Sequence, residues 1–160
     1  MKILFVCSSN VCRSPYCEFV FKRTALSDPA LGAVAERIDS AAVLNKSKKL
    51  HRLSYAALLK EGFSAEELDA FKPRHITNAR NVFDEADEII GMTRWHKWLL
   101  PRSLKPKFKT LSEAAEGVYK PVPDPFLAKD EATYDRAMSV IKKYLGEYAE
   151  KLKERQNHGE

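Results

Sequence analysis

The pattern of apolar and polar positions is clearest at the N-terminus of the chain. After Lys2, the run from Ile3 to Val6 has no polar break, which favours a strand buried on both faces of a parallel sheet. A short polar loop follows the run. Ser14 and Pro15 are then typical of a helix start, with serine as the N-cap residue. The stretch therefore predicts a strand, a tight loop and a helix N-terminus.

Strand and helix patterns alternate along the rest of the chain. Further strands are predicted over 37–44, 88–92 and 108–111, and helices over 15–27, 50–59, 93–101 and from Tyr134 to Leu152, with two short helices after Ser64 and Thr77. This alternation predicts an α/β fold with a four-stranded parallel twisted sheet and helices on both faces. A chain of 160 residues can bury one core, so residues 1–155 are expected to form a single domain and 156–160 a frayed tail.

The loop after the first strand has the features of a phosphate-binding cradle. Backbone N–H groups of residues 8–13 can turn inward on one anion, and the helix N-terminus adds the positive end of its dipole. Cys7 opens the loop and Arg13 closes it, which places a nucleophile at the floor and a bidentate guanidinium at the rim. Since the same groups stabilise a thiolate, the loop predicts attack of sulfur on phosphorus.

Other loop residues are expected to support this chemistry. Ser14 is predicted to donate its hydroxyl to the Cys7 thiolate, and Asn10 is predicted to brace the loop through its amide. The expected phosphate-binding set is Ser8, Ser9, Asn10, Val11, Cys12, Arg13 and Ser14. The alternative is a buried cysteine at a strand end beside an arginine that only caps a loop.

Composition limits the other classes of function. The net charge of +5 is not organised as a basic stripe with interleaved aromatic residues, so no nucleic-acid partner is expected. No stretch has the length of a membrane span or the pattern of a signal peptide, which predicts a cytoplasmic protein without a membrane partner. The four histidines show no ligand spacing, and neither a metal nor another cofactor is expected.

The three cysteines, Cys7, Cys12 and Cys17, lie in one strand–loop–helix unit, which does not form a disulfide framework and fits a reducing compartment. Cys12 has two interpretations of equal weight. It forms a reversible disulfide with Cys7 under oxidation, or it is a small buried hydrophobic residue. Cys17 is interpreted as helix packing.

A proton donor for the leaving group is the remaining requirement of phosphoryl transfer. Asp124 lies between Pro123 and Pro125, and Phe126 follows. The prolines stiffen the loop and the phenyl ring supplies an apolar wall, which would keep a carboxylic acid available as a donor. By itself the segment is more typical of an Asx turn in a connector, and the acid becomes the favoured interpretation only when the Cys7 loop is considered with it.

These motifs resemble the low-molecular-weight protein tyrosine phosphatases. The resemblance rests on VCSSNVCRSP at 6–15 and PDPF at 123–126, with DSAA, PRHIT and IIGM between them. It implies a two-step mechanism without metal, in which Cys7 takes the phosphoryl group as a thiophosphate. Arg13 and the loop amides would bind that group, and Asp124 would act first as acid and then as base. Cys12 matches the vicinal cysteine that protects the nucleophile in many members.

The chain also departs from the family pattern. Ser9 stands where the loop usually carries glycine, and Lys46 stands roughly where an aromatic pocket wall is expected. Lys46 and Phe126 are therefore taken as the substrate-pocket residues. Trp95 and Trp98 are interpreted as packing residues, although they would replace the missing aromatic wall if they flank the pocket. The basic cluster that includes Lys46 is interpreted as a solvated loop.

The expected substrate is a phosphotyrosine protein or a small aryl phosphate, and the expected state is a monomer or weak dimer. Three alternatives remain. An arsenate reductase of this fold would need cysteines after Cys17, and the chain has none. Phosphoarginine phosphatases of this fold commonly carry threonine at the position of Val11. A non-catalytic phosphate- or phosphopeptide-binding module would need neither the Cys7 nucleophile nor the Asp124 acid.

Overall fold

The computed structural model describes residues 1–159. Within them, four strands form one parallel sheet in the order β2-β1-β3-β4. The strands are β1 (Lys2–Cys7), β2 (Arg37–Ala42), β3 (Glu88–Gly91) and β4 (Phe108–Thr110). The helices are α1 (Arg13–Ser27), α2 (Pro29–Val34), α3 (Arg52–Lys60), α4 (Ala65–Ala70), α5 (Arg80–Glu85), α6 (Trp95–Trp98), α7 (Leu111–Glu116) and α8 (Glu131–Asn157). Two 3-10 segments cover Arg102–Lys107 and Pro125–Leu127. The α/β fold predicted from the sequence is confirmed.

Strand β1 is an inner strand of the sheet. It pairs with β2 on one side and with β3 on the other, and five of its six residues are buried. Because side chains alternate between the faces of a strand, Ile3 and Phe5 pack on one face and Leu4 and Val6 on the other. This two-sided burial explains the uninterrupted apolar run in the sequence.

Helices cover both faces of the sheet. On the face of Phe5, the ring of Phe21 from α1 lies 5.5 Å from the Phe5 ring, and Tyr148 from α8 stacks on Phe21 at 5.4 Å. On the opposite face, Phe83 from α5 packs in the cluster that contains Leu4. Because all four strands are parallel, their carboxyl ends meet at one edge of the sheet. Cys7 ends β1 at this edge.

Some predicted helix boundaries are wrong for identifiable reasons. Helix α1 begins at Arg13 with Cys12 as its N-cap residue, and the Ser14 side chain does not cap it. Thr77 does not cap α5, whose N-cap residue is Ala79. The predicted end of the first helix at Ser27 is confirmed, but the helix that follows was missed: Asp28 begins α2, because its carboxylate accepts from two backbone N–H groups of that helix.

Another helix was missed by the sequence patterns, and the last helix is longer than expected. Helix α7 was not predicted, although Thr110 and Glu113 form a reciprocal capping box at its start. Helix α8 continues to Asn157, two residues into the segment expected to be frayed. Among residues 1–159, no helix is both long and apolar enough to cross a membrane.

Candidate active site

The loop between β1 and α1 places a cysteine and a serine side chain in contact. The sulfur of Cys7 lies 2.9 Å from Oγ of Ser14, in the first turn of α1. The amide Nδ2 of Asn10 donates to the same Ser14 oxygen, also at 2.9 Å. Since that oxygen already accepts a hydrogen, the hydroxyl hydrogen of Ser14 is free to point at sulfur. The arrangement can stabilise a thiolate at the floor of the loop.

Asn10 fixes the shape of the loop. Among residues 1–159 it is the only non-glycine residue with positive φ, at 55°, a conformation that asparagine tolerates better than most residues. Its side chain is fully buried, donates to Ser40 Oγ at 2.9 Å and accepts from the backbone N–H of Arg74 at 2.9 Å. Ser9 has no positive φ, so its replacement of glycine does not strain the loop.

The bracing continues away from the loop through a buried carboxylate. Ser40 on β2 donates to Glu18 of α1 at 3.1 Å, and Arg74 forms an ion pair with the other oxygen of Glu18 at 2.9 Å. Glu18 is buried, and a buried carboxylate is stabilised only when it is paired and hydrogen-bonded. The position of Asn10 is therefore held by β2, α1 and the segment before α5 together.

Arg13 lies between the loop and the segment that carries Asp124. Its side chain is buried, with 4% of the residue exposed, and Nη1 donates to the carbonyl of Val122 at 3.0 Å. Nη2 lies 3.4 Å from Oδ2 of Asp124. A buried guanidinium held at both ends in this way presents its remaining donors in a fixed direction.

The surroundings of Asp124 differ from the apolar setting expected from the sequence. Its side chain is 52% exposed, and Oδ1 accepts from the N–H of Phe126 at 3.0 Å. This Asx turn starts the 3-10 segment Pro125–Leu127 and leaves the other carboxylate oxygen facing Arg13. The two sequence interpretations of Asp124, a turn residue and an acid at the site, are therefore compatible.

Cys7, Arg13 and Asp124 line one cavity of about 270 Å³. Its other lining residues are Ser8, Ser9, Val11, Cys12, Leu44, Asn45, Trp95 and Phe126. The cavity thus brings together most of the predicted site, while Asn10 and Ser14 lie buried behind the loop.

The expectation that Lys46 lines the pocket is corrected. The backbone N–H groups of Leu44 and Asn45 donate to the carbonyl of Ser8 at 3.1 and 2.9 Å, and the Asn45 side chain donates to Ser9. These bonds hold residues 44 and 45 against the loop, and Lys46 follows as an exposed residue outside the cavity lining. The aromatic wall is instead supplied by Trp95 from α6.

A histidine that the sequence analysis left without a role supports the loop from behind. Nδ1 of His96 accepts from the backbone N–H groups of Met92 and Thr93, both at 3.3 Å, and Nε2 lies 3.2 Å from Oγ of Ser8. Burial, and then the charge of Arg13, lower the pKa of His96 to about 4. The ring is neutral at physiological pH and carries its proton on Nε2.

A second histidine connects the loop to the Asp124 segment. The backbone N–H of His51 donates to the carbonyl of Val11 at 3.1 Å, and Nδ1 caps α3 by accepting from Leu53. Its ring lies 5.3 Å from the Phe126 ring. Burial, and then the charge of Arg52, lower the pKa of His51, so this contact is made by a neutral ring.

Comparison with known proteins assigns the chain to a family. Residues 2–158 match the family model described as low molecular weight phosphotyrosine protein phosphatase. The chain belongs to this family. The match covers nearly the whole described structure, and a phosphatase of this family is a hydrolase of phosphoric monoesters.

The relatives of this phosphatase include proteins named for two activities, arginine phosphatase and tyrosine phosphatase. A protein-arginine-phosphatase of Bacillus subtilis (strain 168) is 26% identical over 96% of this chain and 97% of its own. A low molecular weight protein tyrosine phosphatase from Bacillus subtilis is 26% identical over 98% of this chain and 99% of that chain, with a TM-score of 0.77. The YwlE arginine phosphatase from Geobacillus stearothermophilus has a TM-score of 0.82 at 23% identity, covering 99% of this chain and 97% of that chain.

The other two cysteines of the phosphatase differ in position, and burial affects both thiols in the same direction. All three are free thiols. Cys12 lines the cavity, and burial raises its pKa to about 12, so it is a neutral thiol beside the loop. Cys17 is fully buried in the core cluster that also contains Val20 and Phe21 of α1. Burial raises its pKa as well. Among residues 1–159, no cluster of histidine, cysteine or acidic side chains could hold a metal ion.

Proposed function

We propose that the protein is a protein tyrosine phosphatase that hydrolyses phosphomonoesters through a thiophosphate on Cys7. The observation that carries the proposal is the meeting of three side chains in one cavity. Cys7 lies at its floor, and Arg13 and Asp124 face each other within 3.4 Å at its side. A nucleophile, an anion-binding group and a proton donor are what phosphoryl transfer needs.

In the first step, the phosphoryl group would occupy the loop. Its equatorial oxygens would accept hydrogen bonds from the loop N–H groups and from Arg13, which the Val122 carbonyl already orients. The thiolate of Cys7 attacks phosphorus in line, an S–P bond forms and the bond to the leaving oxygen breaks. Asp124 gives its proton to that oxygen. A phosphoryl dianion beside Asp124 favours the protonated acid needed for this role.

In the second step, water would complete hydrolysis. Asp124, now a carboxylate, takes a proton from water, the water oxygen attacks phosphorus and the S–P bond breaks. Inorganic phosphate leaves, and the sulfur of Cys7 returns as a thiolate. The hydroxyl of Ser14, 2.9 Å from this sulfur, stabilises the departing anion.

The walls of the cavity favour an aryl ester. Trp95 and Phe126 both line it, and each is about half exposed, at 50% and 53%. Two such rings can hold a phenyl ring by stacking or edge contacts. This supports phosphotyrosine or a small aryl phosphate over phosphoserine, whose ester group is small and aliphatic.

Phosphoarginine is a second candidate, favoured by the named activity of the Bacillus subtilis relative. The position of Val11 speaks against it. Val11 lines the cavity and carries no hydroxyl, so the loop offers one hydrogen-bonding group fewer to a guanidinium than a threonine would. The two candidates differ in the N–P or O–P bond broken and are separated by direct assay.

The deciding experiment compares 4-nitrophenyl phosphate, a phosphotyrosine peptide and a phosphoarginine peptide under reducing conditions. The parent is expected to prefer the two aryl esters. Cys7→Ser should abolish turnover, and Asp124→Ala should lower kcat by about 10²- to 10³-fold. Preference for phosphoarginine would replace the first candidate by the second. Absence of turnover of all three by the folded, reduced parent would overturn both.

A further inference from the structure

A second cavity lies next to the catalytic one, beside the short helix α6. It has a volume of about 460 Å³ and is lined by Arg94, Lys97, Trp98, Lys105, Phe108 and Glu113. We call it the Trp98 cavity. None of these residues belongs to the lining of the catalytic cavity, so the mechanism leaves them without a role.

Helix α6 joins the two cavities. Trp95 from its first position lines the catalytic cavity, and Trp98 from its last position lines the second one. Residues three apart on a helix are neighbours on the same side. Trp98 is 77% exposed, and a large apolar ring left in water beside a cavity is typical of interaction sites, where tryptophan contributes more than most residues.

The charges around Trp98 are unbalanced. Arg94 is paired with Glu113 at 2.7 Å and stacks over the Tyr119 ring at 4.3 Å. The ammonium of Lys105 lies 5.9 Å from the centre of the Trp98 ring. Among residues 1–159, neither Lys97 nor Lys105 has an ion-pair partner. The one carboxylate of the cavity is thus already used, and two lysines remain for an incoming acid.

We propose that the Trp98 cavity docks an acidic segment of the protein substrate that flanks the phosphorylated residue. The inference rests on the proposed function, because the phosphorylated side chain must enter the catalytic cavity for its neighbours to reach α6. The lysines would pair with carboxylates of the segment, and the Trp98 ring would cover its backbone or an apolar side chain. An extended chain spans about 3.3 Å per residue, so acids two to five positions from the phosphorylated residue would lie about 7 to 17 Å from it.

Kinetics test the proposal with three phosphotyrosine peptides that differ only in their flanks. Glutamate, alanine or lysine occupies positions two to five on both sides, and 4-nitrophenyl phosphate serves as the reference substrate. For the glutamate peptide, Trp98→Ala and the pair Lys97→Gln with Lys105→Gln should each raise KM by about tenfold relative to the reference. Lys151 is an exposed lysine of α8. Lys151→Gln is the matched control and should leave KM for the glutamate peptide and for the reference substrate unchanged.

Binding is read separately from turnover through the two tryptophans of the chain. Each indole N–H gives one signal in a nitrogen–proton NMR spectrum, assigned with Trp98→Phe. The glutamate peptide without phosphate should shift the Trp98 signal, inorganic phosphate should shift only that of Trp95, and the phosphorylated glutamate peptide should shift both.

The outcomes separate the two proposals. A Trp98 signal that ignores the glutamate peptide, or shifts equally with the lysine peptide, would overturn the docking site while leaving catalysis intact. Loss of all turnover would overturn the proposed function, and the unphosphorylated glutamate peptide would still show whether the Trp98 cavity binds acidic chains.

Discussion

The hydroxyl of Ser8 lies 3.2 Å from Nε2 of the buried His96. Nδ1 of that ring accepts from the backbone N–H groups of Met92 and Thr93, so the proton is on Nε2 and is donated to Ser8. The hydrogen of the Ser8 hydroxyl is then free to point into the loop that begins at Cys7. We therefore propose that His96 is a positioning residue that turns Ser8 into a donor toward a bound phosphoryl group.

The first prediction concerns this pair. A hydrogen bond to a charged group contributes about 1.5–3 kcal/mol, so Ser8→Ala should lower kcat by about ten- to 100-fold. His96→Gln should approach the same loss. Because both changes remove the same hydrogen bond, the double variant should have a kcat no lower than that of Ser8→Ala. Independent roles would instead give additive losses of activation free energy. Steady-state kinetics with 4-nitrophenyl phosphate measure the cycle, and His158→Gln is the control.

The second prediction concerns acid stability. Burial and the charge of Arg13 lower the pKa of His96 from 6.5 to about 4. Between these two pH values the unfolded chain binds a proton at His96 that the native ring does not. The contribution of His96 to the free energy of unfolding is therefore complete above pH 6.5 and is lost as the pH falls toward 4. The loss amounts to about 3 kcal/mol.

Urea unfolding of the parent and of His96→Gln at pH 7.5 and 4.5 measures this contribution. The parent should lose more stability than the variant between the two pH values. Parallel losses would show that His96 does not carry the linkage, and His158→Gln should follow the parent because its side chain is exposed.

The third prediction concerns Asn10. Asn10→Ala removes the bonds to Ser14, Ser40 and Arg74 and places alanine, which tolerates a positive φ less well than asparagine, at φ 55°. The free energy of unfolding should therefore fall by about 2–3 kcal/mol. Asn10→Gly keeps the backbone conformation and loses only the amide. Asn10→Gly should recover part of the stability lost in Asn10→Ala. In both variants, Cys7 should react with iodoacetate more slowly than in the parent. Full recovery in both measurements would mean that the amide has no role.

The fourth prediction concerns Trp95. If its ring is a wall for the aryl group, Trp95→Ala should raise KM for both a phosphotyrosine peptide and 4-nitrophenyl phosphate by about tenfold, and Trp95→Phe should restore most of the loss. Trp98→Ala, on the same helix but outside the catalytic cavity, is the control for 4-nitrophenyl phosphate. Equal effects of the two alanine variants on that substrate would contradict a specific wall.

The fifth prediction concerns oxidation of the loop. Peroxide converts the Cys7 thiolate to a sulfenic acid, and the thiol of Cys12 can then form an S–S bond with release of water. Inactivation of the parent should be reversed by dithiothreitol, and inactivation of Cys12→Ser should become largely irreversible as Cys7 oxidises further. Equal recovery in both proteins would assign Cys12 to packing alone.

The loop and its strand could be predicted because their signals are local. The apolar run of β1 and the spacing from Cys7 to Arg13 lie within a few residues. His96 was missed because its partner Ser8 is 88 positions away, and only the fold joins them. A usable signal was present, since a histidine three residues after Thr93 at a strand end can cap the turn through Nδ1.

The pocket wall could not be predicted for a different reason. Lys46 was placed by its distance along the chain from β2, but hydrogen bonds of residues 44 and 45 to Ser8 decide where the chain leaves the loop. Trp95 takes its place because α6 directs the first of two tryptophans into the cavity. Residue spacing gives the order of such side chains and leaves the direction of a short helix undetermined.

The order of strands in the sheet has a consequence for folding. Cys7, His96 and Asp124 come from distant parts of the chain. The pairing of β1 with β3 brings His96 to the loop after Cys7, and the backbone N–H of Val122 donates to the carbonyl of Met92 just after β3, which brings the Asp124 segment to the same edge. A chain that has formed its helices without that parallel pairing contains every proposed catalytic group and no assembled site. Parallel pairing is the slow, long-range part of folding such a domain. Enzymatic activity is therefore a signature of completed topology, absent from every partly folded form.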